Sequence, residues 1–475
     1  MKKYLSIREN YPDFYFKNFD FKKRGQDFFI NFYFEVPSKE EKKKFKFCHL
    51  IKIKNIDLEK INKIPQETIE NFIFNIGISE ILNYWKLFCS KNIFLPFFLS
   101  DEQLKFWKKF FIKSMGQYFF ENEINFKEKN FLNFIVGEKE YKKENIKLKD
   151  RYLLSLGEGK DSITSLEILK DYFKEKYNEK LGIFLLNKNI FHEDIILISN
   201  IKNKIFVERI LDKKLFELNN KGFLNGHIPI TGIYSFIGSF VALIFDYKNL
   251  VFSNEKSTFE GNVKYLGTVI NHQWSKTFEF ENLFRDYLNN FLIEGLNYFS
   301  LQRPLYEIEI ARIFKNFPQY FYSFSSCNIV KKITNKSIFN KKWCGKCPKC
   351  LFVFILLYPF LGKEETIKIF GKNLFKDKSL KPLLEKMLGL KGFKPFECLG
   401  TKKEIELGLY LSLLKTKEEG EKLPFLLSFF ENYMLKNDKN IKRSVNILTS
   451  FDKKNNIPKD IKYFILEKYV KRVGK

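Results

Sequence analysis

The chain has 475 residues, 45% hydrophobic and 29% charged, which is enough apolar content for two or three domains with their own cores and too much for a disordered polypeptide. Lys and Arg number 83 against 56 Asp and Glu, a formal charge of +27. The basic residues are scattered and accompany 57 Phe with abundant Ile and Asn, a skew that AT-rich coding DNA produces; this favours general attraction for anionic substrates and argues against nucleic acid as a partner.

The N-terminus, MKKYLSIRENYPDF, lacks the apolar core and cleavage site of a secretory signal, so a cytoplasmic location is expected. Residues 1–145 mix alternating aromatic segments, such as Phe28 to Val36, with helical stretches such as Thr68 to Phe88, and read as an N-terminal α+β domain. From Tyr152 a short apolar strand, a glycine turn and a helical pattern follow one another. Apolar runs at Leu181 to Leu186, Ile195 to Ile198, Val241 to Phe245 and Leu250 to Phe252 are candidate neighbouring strands. Residues 146–310 are therefore expected to form an α/β nucleotide-binding domain around a parallel sheet. Residues 311–475, with Leu/Phe spacing at Leu351 to Leu361 and Glu404 to Leu414, read as a mostly helical C-terminal domain. The most apolar runs, Phe236 to Phe245 and Leu351 to Leu361, are about half the length a bilayer requires, so no membrane span is expected. The oligomeric state has no signature in the sequence.

The turn after the strand reads Ser155-Leu156-Gly157-Glu158-Gly159-Lys160-Asp161-Ser162. Glycines admit a phosphate close to the backbone, the N–H groups of a helix start point at the anion, and the hydroxyls of Ser155 and Ser162 can donate further hydrogen bonds. The ending Gly-Lys-Asp-Ser excludes a Walker loop. A ligand-free glycine turn capped by Asp161 is the plainer alternative. The segment resembles the Ser-Gly-Gly-Lys-Asp-Ser signature of PP-loop ATP pyrophosphatases, which implies that Lys160 offsets phosphate charge and Asp161 helps to place Mg²⁺. Glu158 departs from that signature and would repel a polyphosphate unless it faces away or meets Mg²⁺.

Seven cysteines do not make a disulfide scaffold in a chain this long. Cys344, Cys347 and Cys350 stand at CxxCxxC spacing, with Cys327 seventeen residues upstream. Four thiolates complete the tetrahedral set of a structural zinc site, with Lys346 and Lys349 offsetting their charge; an iron–sulfur cluster or unliganded thiols are the alternatives. Cys48, Cys89 and Cys398 are isolated and read first as small core residues.

Between these motifs lie Asn225-Gly226-His227-Ile228-Pro229, Asn254-Glu255, Asn271-His272-Gln273-Trp274-Ser275-Lys276 and Arg303-Pro304-Leu305-Tyr306-Glu307. His227, His272 and Lys276 are candidates for proton transfer or oxyanion stabilisation, each with a structural role as the alternative. Asn254-Glu255 followed by His272 and Lys276 could ring the α-phosphate, a Mg²⁺ ion or the substrate, and Arg303 is a candidate anion-binding residue with a helix-start salt bridge as the alternative. Together with the glycine loop, WCGKCPKC and Lys394 to Gly400, these segments are similar to those of the bacterial UDP-N-acetylmuramoyl-L-alanyl-L-glutamate epimerases of the MurL family, from about residue 80 onward. The resemblance implies inversion of the terminal glutamate of a nucleotide-sugar dipeptide substrate, with ATP and Mg²⁺ as cofactors. Adenylation would remove the charge of the carboxylate beside the α-carbon, so that the α-proton can leave to an enolate. Ser155, Gly157, Gly159, Lys160, Asp161 and Ser162 would hold ATP, and Cys398 joins the acid/base candidates. Two rival readings are a PP-loop nucleobase or tRNA-modifying enzyme and a non-catalytic, zinc-stabilised nucleotide-binding module.

Overall fold

The computed structural model describes residues 2–40, 43–330, 342–435 and 444–471. Aromatic alternation at the N-terminus produces an antiparallel meander of β1 (Asp13–Arg24), β2 (Asp27–Pro37) and β3 (Lys44–Ile53). Phe28, Ile30, Phe32, Phe34 and Val36 all point inward from β2, the period of two that a half-buried strand imposes. That face packs on the helix Gln66–Phe88, which is buried along nearly its whole length. Gly77 makes the contact possible, because a Cβ there would lie 2.3 Å from the tip of Phe16. Cys89 is buried and ends the helix in a left-handed conformation, whereas Cys48, expected in a core, is exposed because it alternates on β3 with the inward Phe47 and His49.

The short strands β4 (Asn92–Phe94) and β5 (Asn133–Ile135) extend the sheet beyond β1. On its other side lie β6 (Tyr152–Ser155), β7 (Leu181–Leu186), β8 (Asn203–Ile210) and β9 (Asn249–Phe252). After a separate hairpin of β10 (Val263–Tyr265) and β11 (Thr268–Ile270), β12 (Asn297–Ser300) completes ten strands in the order β12-β9-β6-β7-β8-β3-β2-β1-β4-β5. The five strands from β12 to β8 are mutually parallel, and β8 meets β3 antiparallel, so residues 1–145 and 146–310 share one sheet. From β6 the chain winds one way through β7 and β8, then returns to β9 and β12 on the other flank. Such a reversal opens a crevice at the carboxyl ends of β6 and β9.

The runs Ile195 to Ile198 and Val241 to Phe245, expected as strands, instead fall at the ends of the helices Ile190–Ser199 and Ile230–Ile244. Asn189 caps the first through its side chain, and a four- or five-residue apolar window cannot separate a buried helix from a buried strand. Beyond β12 the described residues are helical, chiefly Glu307–Phe314, Pro348–Leu361, Lys363–Phe370, Lys402–Glu418 and Phe425–Met434. The molecule is thus an α/β protein with a large, mostly parallel sheet and a helical C-terminal region. Among the described residues no helix is long and apolar enough to cross a membrane.

A buried ion pair ties the parallel half to the N-terminal helix. Arg209 of β8 donates to both carboxylate oxygens of Glu80 at 2.7 and 2.6 Å, and to Asn83 at 2.7 Å. Glu80 is wholly buried, so removing Arg209 leaves its charge without a cationic partner in contact, with only the Asn83 amide donating to it at 2.6 Å and the His49 ring at 3.6 Å. An Arg209→Met variant is expected to lose about 3–5 kcal/mol of stability, read from urea unfolding; Glu80→Met in the same chain should recover much of it.

Candidate active site

The glycine loop leaves β6 at Ser155 and enters the helix Lys160–Phe173 at the sheet's reversal point. Leu156 is buried beneath it. Ser162 Oγ accepts from the Gly157 N–H at 3.2 Å and donates to the Gly157 carbonyl at 2.8 Å, closing the turn on itself. Gly159 is the N-cap and no side chain caps the helix start. Such a start presents backbone N–H groups to an anion. The Glu158 carbonyl accepts from Ser325 N–H at 2.9 Å, and a Cβ on Gly159 would lie 3.1 Å from Ser326 Oγ, so the loop is pinned against the segment that carries Cys327. The Glu158 carboxylate turns toward the next helix, where Asn189 donates to it and His192 Nδ1 lies at 3.5 Å. Its charge is therefore directed at another helix start.

Lys160 is 1% exposed, and its ammonium donates to both Asp161 and Glu307. The other oxygen of Glu307 receives Lys349 Nζ at 3.3 Å. Burial opposes the charge on Glu307, but Lys160 and Lys349 hold its carboxyl down at about 2. Burial also pulls on the Lys160 ammonium, and the carboxylates of Asp161 and Glu307 outweigh it and raise its pKa. Glu255 follows β9, and no cation contacts it among the described residues; burial and the nearby Glu307 push its carboxyl up to about 8. Carboxylate oxygens of Asp161, Glu255 and Glu307 all lie within 4.8 Å of one another, the hard-oxygen donor set a divalent cation takes. Arg303 is a strut: it is 3% exposed, pairs with Glu281 at 3.0 Å and donates to the carbonyls of Glu255 at 2.8 Å and Lys276 at 2.6 Å.

A second cluster adjoins the first. Lys276 Nζ lies 3.2 Å from Cys398 Sγ, His272 Nε2 lies 4.0 Å from the same sulfur, and the His227 and His272 rings are 5.8 Å apart. Burial, with Lys276, Lys394 and Lys349 nearby, takes the His272 imidazole down to about 3. Burial, His272 and Lys276 do the same to His227. Both rings are neutral at physiological pH. Lys86, from the long N-terminal helix, donates to Asn225 Oδ1 at 2.8 Å and to the Gly226 carbonyl at 3.1 Å beside His227. Lys349 joins the two clusters, because its ammonium contacts Glu307 in one and the Cys398 carbonyl in the other.

Sulfurs of Cys327, Cys344, Cys347 and Cys350 lie within 4.8 Å of one another. Backbone N–H groups of Lys346 and Cys347 both point at Cys344 Sγ from 3.4 Å, and Cys347 Sγ accepts from Cys350 N–H as it caps the helix Pro348–Leu361. N–H groups aimed at sulfur favour the thiolate, and four converging sulfurs can hold zinc.

The candidate residues of the sequence thus fall into three groups: the loop from Ser155 to Ser162, the His227–His272–Lys276–Cys398 cluster, and the four cysteines. Lys349, expected to offset the thiolates, reaches Glu307 instead. The central position of Glu307 and the contribution of Lys86 were not foreseen. Glu307 at least lay in a polar segment, whereas Lys86 sits in an ordinary helical pattern that carries no signal.

A doubly wound parallel sheet, with a glycine loop and a buried lysine–carboxylate centre at its reversal point, defines an α/β protein whose candidate site lies at the carboxyl ends of its strands. The chain belongs to the MurL family: the MurL N-terminal domain matches residues 6–301 and the MurL C-terminal domain residues 323–444. The match starts well before residue 80, so the aromatic meander is part of the family pattern. A Micromonospora sp. protein named UDP-N-acetyl-alpha-D-muramoyl-L-alanyl-L-glutamate epimerase is 32% identical over 350 residues, 72% of this chain and 74% of that relative. Proteins of the same name from Xanthomonas oryzae pv. oryzae and Salinispora tropica are each 38% identical, over 253 and 261 residues. These two matches cover 53% and 55% of this chain, and 54% and 55% of those relatives. No solved structure matches the chain.

Metal analysis by mass spectrometry of the purified chain is expected to find about one zinc per polypeptide, most of it lost in a Cys347→Ser variant. Stoichiometric iron in place of zinc would contradict this assignment.

Proposed function

We propose that this protein inverts the terminal L-glutamate of UDP-N-acetylmuramoyl-L-alanyl-L-glutamate, supplying D-glutamate to peptidoglycan precursors, and that it activates the glutamyl carboxylate with ATP. Family membership and the names of the relatives support the epimerisation. The observation that carries the ATP step is the position of Lys160: a buried ammonium at the start of an uncapped helix, directly after a glycine loop at the sheet's reversal point. In this reading the fold is of the PP-loop type, and Gly157, Gly159, Ser155 and Ser162 cradle the phosphates while Lys160 balances their charge. Asp161, Glu255 and Glu307 would hold Mg²⁺, which supplies further neutralisation of the polyphosphate. The four cysteines hold a structural zinc. A soluble nucleotide-sugar peptide and ATP as substrates fit a cytoplasmic reaction.

The activation answers a physical problem. An α-proton beside a carboxylate is scarcely acidic, since its loss adds negative charge to an anion. Transfer of AMP to that carboxylate removes the charge, and an enolate can then form and be reprotonated from the opposite face. His227, His272, Lys276 and Cys398 supply the polar groups beside this chemistry. Water finally cleaves the acyl–oxygen bond and releases AMP.

The test uses substrate labelled with ¹⁸O in both oxygens of the carboxylate beside the glutamate α-carbon, incubated with ATP and Mg²⁺. One label is expected in AMP, together with pyrophosphate and D-glutamate after hydrolysis of the peptide. Lys160→Ala is expected to lower AMP and D-glutamate formation together by about 10²–10³-fold. Formation of ADP would contradict carboxylate adenylation, and unlabelled AMP would contradict release by cleavage of the acyl–oxygen bond.

A further inference from the structure

We infer that the Cys398 thiol is one of the two groups that carry the glutamyl α-proton, and that His272 and Asn262 position it. This rests on the epimerisation proposed above and assigns a part of it that neither the family nor the relatives' names assign.

Asn262 lies just before the β10–β11 hairpin and is 8% exposed. Its Nδ2 donates to the Pro395 carbonyl at 2.9 Å, which orients Oδ1 toward His272; that oxygen lies 3.3 Å from the His272 backbone N–H and 2.9 Å from His272 Nδ1. An amide oxygen only accepts, so the ring proton is assigned to Nδ1 and the Nε2 lone pair faces Cys398 Sγ at 4.0 Å. Lys276 Nζ approaches the same sulfur at 3.2 Å. A reactive group, a ring within reach of it and a third residue that sets the ring's tautomer form the arrangement by which proteins orient a proton-transferring thiol.

The neighbours are poorer carriers. His272 is buried, and both imidazoles are held near 3, too weakly basic to keep a proton at neutral pH. Burial would ease the proton from Lys276, but Cys398 and Glu255 raise its pKa instead. The thiol is half-buried, so substrate can reach it. Its own carbonyl is held by Lys349, whose ammonium also touches Glu307. One side chain therefore spans from the lysine–carboxylate centre to the cysteine, placing the sulfur beside the region where the activated carboxyl would sit.

The step balances without an oxidant. As acid, the thiol loses its S–H proton to the α-carbon; the enolate electron pair forms the new C–H bond, and the thiolate is left facing the Lys276 ammonium. Run in reverse, the thiolate takes the α-proton, and the C–H electron pair passes into the enolate of the activated carboxyl.

The full-length protein is incubated in D₂O with ATP, Mg²⁺ and substrate ending in either L- or D-glutamate, and both AMP and α-deuterium are measured. Cys398→Ala is expected to keep forming AMP, which also reports that it is folded, while α-deuterium incorporation from at least one epimer falls by about a hundredfold. Asn262→Ala should lower incorporation with AMP formation retained, since it frees the ring without touching the phosphate centre. Wild-type incorporation from both epimers in Cys398→Ala would overturn the assignment. Parallel loss of AMP and deuterium in Cys398→Ala would make the residue structural and overturn it too. Wild-type protein that forms no AMP would refute the proposed function itself, and this assignment with it.

Discussion

The ammonium of Lys160 and the carboxylate of Glu307 are almost completely removed from water, and each is tolerable because it faces opposite charge. Their contact joins the start of the helix after β6 to the start of the helix after β12, two elements separated by 147 positions in the chain. Asp161 and Lys349 extend the pair into a mixed-charge cluster, and Glu255 completes its acidic side. A hydrophobic substitute would suit stability as well, because desolvating ions offsets much of what their attraction returns. Under the proposed function, the internal partners of this ionic cluster at the mouth of the glycine loop stand where a polyanion and its cation would come.

The rest of the architecture delivers side chains to that point. The sheet reversal sets β6 beside β9, so the loop at Ser155 and Glu255 beyond β9 emerge on the same edge. The cysteine knuckle anchors the helix Pro348–Leu361 at its first turn, and Lys349 in that turn reaches both Glu307 and the Cys398 carbonyl. The four cysteines thus stand beside a residue of the centre, and under the proposed function loss of their zinc would have a direct route to the site through Lys349.

What could be read in the sequence was local. The loop from Ser155 to Ser162 and the CxxCxxC run carry their chemistry in consecutive residues, and the alternation of β2 and the long helix near Thr68 follow from periodicity. Ile195 to Ile198 and Val241 to Phe245 misled because a short apolar run has no period to measure. Of the two readings of Arg303, anion binding or a salt bridge, the second fits, since Glu281 and backbone carbonyls occupy its guanidinium; nothing in Arg303-Pro304 encodes that partner. Glu307 and Lys349 acquire their meaning only from contacts across the fold, as does Asn262, which acts through His272.

The central claim, that the turn from Ser155 to Ser162 holds the triphosphate with Lys160 as its buried counter-charge, is tested most directly by a crystal structure with Mg²⁺ and a non-hydrolysable ATP analogue. The account predicts the terminal phosphates on the backbone of residues 157–161, with the Lys160 ammonium in contact and the metal on Asp161, Glu255 or Glu307. Nucleotide bound elsewhere, with Lys160 still enclosed between Asp161 and Glu307, would contradict it.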